Sequence, residues 1–358
     1  MPAPKLTHLT LLIPELLWPQ PDDPDTFHSL TCPSLTRLLA RSQLDRRPTQ
    51  PAENVLAGQF GLTGQIPFGA LRRSGEHRPA HNMEGDLWLC ADPVHLRFHQ
   101  ERLLLADSRT LAITQDEAES LAAELNEQLR DIGQFHVATA DRWYLQLKKA
   151  ELIAGYDAPP LSAVAGRAVE QLLAELAHAK DVRRLFNDIQ TLFHFHPVNQ
   201  RRDEAGQLTI NGLWLWGPGQ LPVDLDRPFD GVWSADPIAR GLARLSGASH
   251  HPAPPEASLF FEHAEPGSSH LVVLDDLTCP AHDQHATEYR DAINSLEARW
   301  FEPLRKALVR GKPGKLSIVS TTTYASLDWQ IRPIDQLKFW RRSQSLREIA
   351  QKLAKDFQ

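Results

Sequence analysis

The sequence predicts an α/β protein with a mostly parallel sheet, helices on both sheet faces, and a small inserted α+β cap. Three observations carry this. Short, fully apolar runs recur between helical stretches, the pattern of strands buried on both faces. Their spacing leaves room for crossover helices. The region 84–150 breaks the alternation with a strand, strand, helix, strand texture of its own. At 358 residues, 42% hydrophobic and 23% charged, the chain has enough apolar material for a large core.

His8–Ile13 reads as a buried strand closed by Pro14. Helices are expected at Ser34–Arg41 and Ala52–Phe60, with Pro-rich and Asp-rich loops between Pro19 and Pro51. Asp86–Ala91, Leu103–Ala106 and Arg142–Leu147 read as strands. Gln115–Leu129 reads as an amphipathic helix capped by Thr114, with Glu117 in its first turn. Asp157–Pro160 looks like a linker, followed by helix over Ser162–Lys180 and Asp181–Phe195. Alternation resumes with strands Leu213–Trp216, Gly231–Trp233, Leu271–Leu274 and Leu316–Val319, and helices Pro237–Leu245 and Glu288–Val309. Pro303 is expected to kink or split the last of these. A His- and Pro-rich loop is expected at Gly247–Pro255, and a basic helix at Asp335–Phe357. The expected partition is a core of 1–83 and 151–358 with 84–150 as the cap.

Composition narrows function. A net charge of −7 argues against a chain devoted to gripping a phosphate backbone, so nucleic acid is not the expected partner. Cys32, Cys90 and Cys279 are odd in number and widely spaced, which suits a reducing compartment better than a disulfide framework. Leu9–Ile13 is too short for a signal segment, and no run approaches membrane-spanning length. The expectation is a cytoplasmic protein with no membrane partner.

The stretch from His194 to Gly219 is the richest in chemistry. It ends a helix at a proline, gathers His196, Asn199, Arg201 and Arg202 in a turn, and leads through an aromatic strand to Gly217-Pro218-Gly219. Ligands of open α/β sheets bind beyond the carboxyl ends of strands, where such a loop is expected. An arginine fork suits phosphate or carboxylate; against this, the arginines can be solvated and His196 can simply cap a helix. His282-Asp283-x-His285 has metal-ligand chemistry in a polar stretch. Asp275 and Asp276 end a buried strand, a better place for a ligand or magnesium, although turn formation is as common a role. Ser268, Ser269, Ser317 and Ser320 lack a nucleophile-elbow context, and the phosphate-binding glycine motifs are absent. Lys338, Arg341, Arg342, Arg347, Lys352 and Lys355 give the C-terminal stretch a basic face, which is most often a solvated surface.

The segment from His196 to Arg202, with Gly206, Asn211 and Gly217–Gly219, resembles the archaeal-type cofactor-independent phosphoglycerate mutases of the alkaline phosphatase superfamily. Cys32–Ala40, the unit around 84–150 and Val272–Leu304 extend the resemblance. Ile13–Pro19, Cys90–Leu96 and Asn211–Gly219 look closer still to bacterial RpfE-type regulatory proteins. The resemblance implies an alkaline-phosphatase-like core and a ligand-facing set of His196, Asn199, Arg202 and Asn211. Active members hold two divalent metals on Asp and His and use a Ser or Thr nucleophile. Here Pro14-Glu15 replaces the Asp-Gly pair that ends their first strand. Their late Asp-His pair falls within Ser320–Thr322, and the nucleophile position falls near Ala52. A two-metal site needs complete shells and alanine forms no phosphoenzyme. The expectation is therefore a regulatory binding protein without a metal cofactor, its ligand a phosphorylated small molecule or a protein. The alternative is an active mutase or phosphatase using two divalent metals at a relocated site with Asp275, Asp276 and His282, to which Glu15 could add a ligand.

Overall fold

The computed structural model describes residues 8–77, 83, 85–99, 102–170, 172–173 and 180–357. Among these the strands, in chain order, are β1 (His8–Leu12), β2 (Gln43–Arg47), β3 (Leu87–His99), β4 (Arg102–Ala106), β5 (Gly133–Thr139) and β6 (Arg142–Leu147). They continue with β7 (Gly212–Gly219), β8 (Gly231–Trp233), β9 (Ser249–His251), β10 (Ser269–Val273), β11 (Lys315–Thr321) and β12 (Ser326–Ile331). The chain forms two compact units. One is Met1–Gly61, Asp226–Ala239 and Ala243–Gln358; the other is Leu62–Leu225 with Arg240–Leu242. The expected boundaries at 84 and 150 fall inside the second unit.

In the first unit seven strands run in the order β2-β12-β11-β1-β10-β8-β9. β1 is central: Leu9 and Leu11 pair in parallel with His270 and Val272 on one side and with Leu316 and Ile318 on the other. Both of its neighbours and both of its faces are protein, which is why it needs no alternation of polar residues. β10, β8 and β9 continue in parallel. β12 and β2 are antiparallel additions, so the sheet is mixed and not simply parallel. Residues of β1, β10, β11 and β12 share one buried cluster with helices Pro33–Arg41, Ala257–His263, Ala286–Leu296, Glu302–Val309 and Leu346–Phe357.

Pro303 is accommodated without a break. A π-helical turn, Glu297–Phe301, precedes it, and Glu302 N–H reaches back to the Glu297 carbonyl. Pro303 then lies in the first turn of the next helical segment, where a missing N–H costs nothing. The π-turn turns Glu297 inward, and its carboxylate accepts from the Ser34 and Leu35 N–H groups at 2.6 and 3.0 Å. That carboxylate caps the helix Pro33–Arg41, whose own N-cap residue, Cys32, offers no side-chain bond. Burial, and then the Glu297 charge, push the Cys32 thiol up to about 12, so it is no nucleophile.

The C-terminal helix is shorter than expected. Pro333–Leu337 is a single 3-10 turn and the helix proper is Leu346–Phe357. Lys338, Arg341 and Arg342 therefore lie in an irregular segment ahead of it.

The second unit is built on strands in the order β4-β3-β6-β5, with β7 also paired to β3. β3 is longer than its apolar start suggested and runs through Pro93. Its pairing with β6 ends at Cys90 and that with β4 begins at His95, leaving Pro93 in a stretch paired on one side only. The helix Gln115–Gln128 begins in a full capping box between Thr114 and Glu117. Asp157–Pro160 is no linker: Ala158 and Pro160 are buried, and the Trp214 indole donates to the Pro159 carbonyl at 2.9 Å. The expected helix Ser162–Lys180 is helical at Leu161–Val164, after which Gly166 and Val169 bond to the β4 backbone; 171 and 174–179 lie outside the described residues. The next helix is Lys180–Phe195.

A buried ion pair anchors this unit. Arg72 meets Asp92 through two bonds of 2.9 and 2.6 Å, while the Trp216 indole donates to the same carboxylate at 2.8 Å. The guanidinium lies over the Tyr144 and Trp216 rings, which face the charge while its Nε is left without a hydrogen-bond partner among the described residues.

Candidate functional site

β7 is an antiparallel partner of β3, with Ala91 opposite Leu215 and Val94 opposite Gly212. It is not a strand of the parallel sheet, so Gly217–Gly219 is not a loop beyond the carboxyl end of one. Gly217 has φ +58° and packs so close to Phe68 that a Cβ would come within 2.5 Å of it. Its glycine character serves packing against the helix Phe68–Ser74.

His196 is the N-cap of the helix Pro197–Glu204, its Nδ1 accepting from Val198 N–H at 3.1 Å. Burial, foremost, holds its pKa below the usual histidine value. Asn199 donates to the carbonyls of Phe193 and Ile210, both at 2.7 Å, and accepts from Ile210 N–H at 2.8 Å. Arg202 donates to the carbonyls of Leu208 and Leu111 and to the Glu117 carboxylate at 2.8 Å. Asn211 accepts from and donates to the Leu96 backbone at 2.7 and 2.8 Å. The structure thus gathers His196, Asn199 and Arg202 in one buried turn, and each aims its polar atoms at neighbouring chain. Arg201 is exposed. A cleft of about 730 Å³ lies beside this turn, lined by Asn199 and Asn211 among others; among the described residues no Lys or Arg lines it, and its one carboxylate is Asp203.

In the first unit the carboxyl ends of β1 and β11 bring together positions far apart in sequence. Glu15 N–H bonds to the Thr321 carbonyl at 2.9 Å and Leu16 N–H to the Ser320 hydroxyl at 3.3 Å. The Thr49 hydroxyl donates to the Thr322 carbonyl at 2.6 Å, drawing the segment that opens the helix Ala52–Gly58 to the same sheet end. Glu15 has φ +58°, the left-handed region that glycine occupies freely. Tyr289 fixes this turn by donating to the Glu15 and Leu16 carbonyls. Sequence reasoning missed Thr49 and Tyr289, neither of which lies in a motif.

His282 Nε2 stands 3.8 Å from the Glu15 carboxylate. Asp276 is held by Arg299 at 2.6 Å, and the Arg299 guanidinium also bonds the Pro255 carbonyl. Asp275 and Asp283 are exposed, and His285 faces Glu288. The hydroxyls of Ser320 and Thr322 are taken up by local backbone. Among the described residues, no three His, Cys, Asp or Glu side chains gather as a metal-binding group. No described helix is long and apolar enough to cross a membrane.

The class defined by these features is an α/β protein with a mixed sheet. No protein-family model matches the chain. Over 98 residues it is 29% identical to a probable 2,3-bisphosphoglycerate-independent phosphoglycerate mutase of Geobacter sulfurreducens, a match spanning 26% of this chain and 25% of that protein. The PH0037 protein from Pyrococcus horikoshii has a similar fold, with a TM-score of 0.57 at 13% identity over 92% of this chain and 88% of the other. A cofactor-independent phosphoglycerate mutase from Thermoplasma acidophilum aligns over 98% of this chain and 100% of its own, with 16% identity and a TM-score of 0.45.

Proposed function

We propose that this chain is a phosphoglycerate-mutase-like protein, akin to the RpfE-type regulators, that works by binding and not by two-metal phosphoryl transfer. One observation carries the reading. Pro14-Glu15, the approach to Ala52, and Ser320–Thr322 are the places the family resemblance assigns to metal ligands and nucleophile. They converge at the carboxyl ends of β1 and β11. The left-handed φ of Glu15 supports that correspondence, since the family carries glycine there and Pro14 then stands where the ligand aspartate would be.

The residues present do not fit a two-metal site. Glu15 and His282 face each other, Asp276 is spent on Arg299, and proline, alanine and hydroxyls fill the rest. Two hard divalent ions need a shell of carboxylates and imidazoles around each. The bound species is a phosphorylated metabolite or a regulatory protein. The absence of Lys and Arg from the described lining of the cleft beside the His196 turn favours the protein, because Arg and Lys are the commonest strong phosphate donors. The test is steady-state turnover of phosphoglycerate with manganese, magnesium, cobalt or zinc. The expected result is no turnover above the blank; turnover abolished by Asp276→Ala would replace this reading with a relocated active site.

A further inference from the structure

We propose that the first unit carries a docking groove for an acidic, extended peptide segment of a partner protein, formed between β2 and the residues that precede and include the C-terminal helix. The groove has a volume of about 790 Å³. Its floor is apolar, with Leu44, Trp329 and Leu353, and its rim carries Arg46, Lys338, Arg341, Arg342 and Lys352 against, among the described residues, a single acid, Asp356. Asp356 is taken by Arg46, Lys338 is paired to Asp335, and Arg341 donates to the Ser42 carbonyl. Among the described residues Arg342 and Lys352 have no partner.

Arg342 and Lys352 thus leave uncompensated positive charge on the rim, on a chain whose net charge is −7. Such a rim is complementary to carboxylates. β2 adds a second feature: it ends the sheet order, is paired among the described residues on one edge only, by β12, and is exposed along all five residues. A free strand edge offers backbone donors and acceptors to an extended chain, and side chains alternating from that chain can reach the apolar floor. Phe339 and Trp340, 81% and 67% exposed, follow Lys338 in the chain and lie outside the groove lining.

The shape argues for a peptide over the other polyanions. A lipid surface is flat and does not reach the floor of a groove. Within the groove lining the described ring is Trp329, 2% exposed, which offers no face for stacking a base; the exposed rings of Phe339 and Trp340 lie outside that lining, and oligothymidylate tests whether they recruit one. The inference concerns a different surface from the strand ends discussed above and holds whatever their metal chemistry.

The experiment measures binding of a fluorescein-labelled peptide of alternating glutamate and valine to the full chain at low salt. A lysine–valine peptide and oligothymidylate serve as comparisons, and sedimentation runs over a range of protein concentrations. Expected are binding of the glutamate–valine peptide, its weakening by added salt, and at least a tenfold loss of affinity in R342E/K352E with unchanged circular dichroism. Both substituted side chains are unpaired, so the double variant retains the fold. No binding of the acidic peptide, or unchanged affinity in the variant, overturns the proposal. Tighter binding of oligothymidylate would assign the groove to nucleic acid. Self-association lost in the variant would assign it to a second copy of the chain.

Discussion

Glu297 is a buried carboxylate inside a helical stretch, a position that costs several kcal/mol unless the charge is bonded. The Ser34 and Leu35 N–H groups provide the bonds. Removing it strips the helix Pro33–Arg41 of its cap and leaves two buried donors without partners. Glu297→Ala is expected to destabilise by about 2–4 kcal/mol in urea unfolding, a loss below about 0.5 kcal/mol contradicting the capping role. Glu15 poses the opposite case. Its left-handed backbone costs about 1–2 kcal/mol for a side-chain-bearing residue, offset in part by the greater freedom that glycine has when unfolded. Glu15→Gly is expected to be neutral or stabilising by up to about 1 kcal/mol. A loss above about 2 kcal/mol would mean that its contact with His282 outweighs the backbone strain.

At the scale of elements, the turn around His196 is a staple. Asn199 alone ties the end of the helix Lys180–Phe195 to Ile210 by three bonds. Asn199→Ala is therefore expected to cost about 2–4 kcal/mol of stability. A variant with unchanged melting but weakened binding of phosphoglycerate would return this residue to the ligand-facing role the resemblance implies. The elements most legible in sequence were those with a single dominant pattern. β1, β10 and β11 announce themselves as apolar runs, and Gln115–Gln128 by its capping box. β2, Gln43–Arg47, is polar but for Leu44 and exposed along its length, and such an edge strand leaves almost no hydrophobic trace. β12 did carry a signal, the alternation of Leu327, Trp329 and Ile331 with Asp328 and Gln330 between them. The assignment of β7 to the parallel sheet failed for a different reason. An eight-residue apolar strand reads the same whether its partners are parallel or antiparallel, and its pairing with β3 spans more than a hundred residues. Of the candidate site, the turn from His196 was visible as a cluster. The direction of its bonds was not, because residue type alone does not tell a donor aimed at a ligand from one aimed at a carbonyl.

For the whole molecule, pH is a direct probe of burial. Burial is the leading cause that lowers the pKa values of His136, His196 and His270 from 6.5, with nearby Arg73, Arg201 and His251 acting in the same direction, respectively. The unfolded chain takes up these protons near pH 6.5 while the folded chain resists. Their contribution is complete above that pH and is lost as pH falls through 6.5 toward the depressed folded values. The urea midpoint is expected to fall between pH 7.5 and 5.5; a rise would contradict neutral, buried imidazoles. The basic groove and the net charge of −7 also make a salt-sensitive acidic partner compatible with an acidic protein, because charge is distributed unevenly over its surface.

The central claim, binding without two-metal chemistry, is tested most directly by calorimetric titration of the metal-stripped chain with manganese. The account predicts no saturable binding beyond weak, salt-sensitive association. Tight uptake of two manganese ions per chain would contradict it, and would mean that Glu15, Asp276 and His282 rearrange into a shell that their present contacts with one another and with Arg299 do not form.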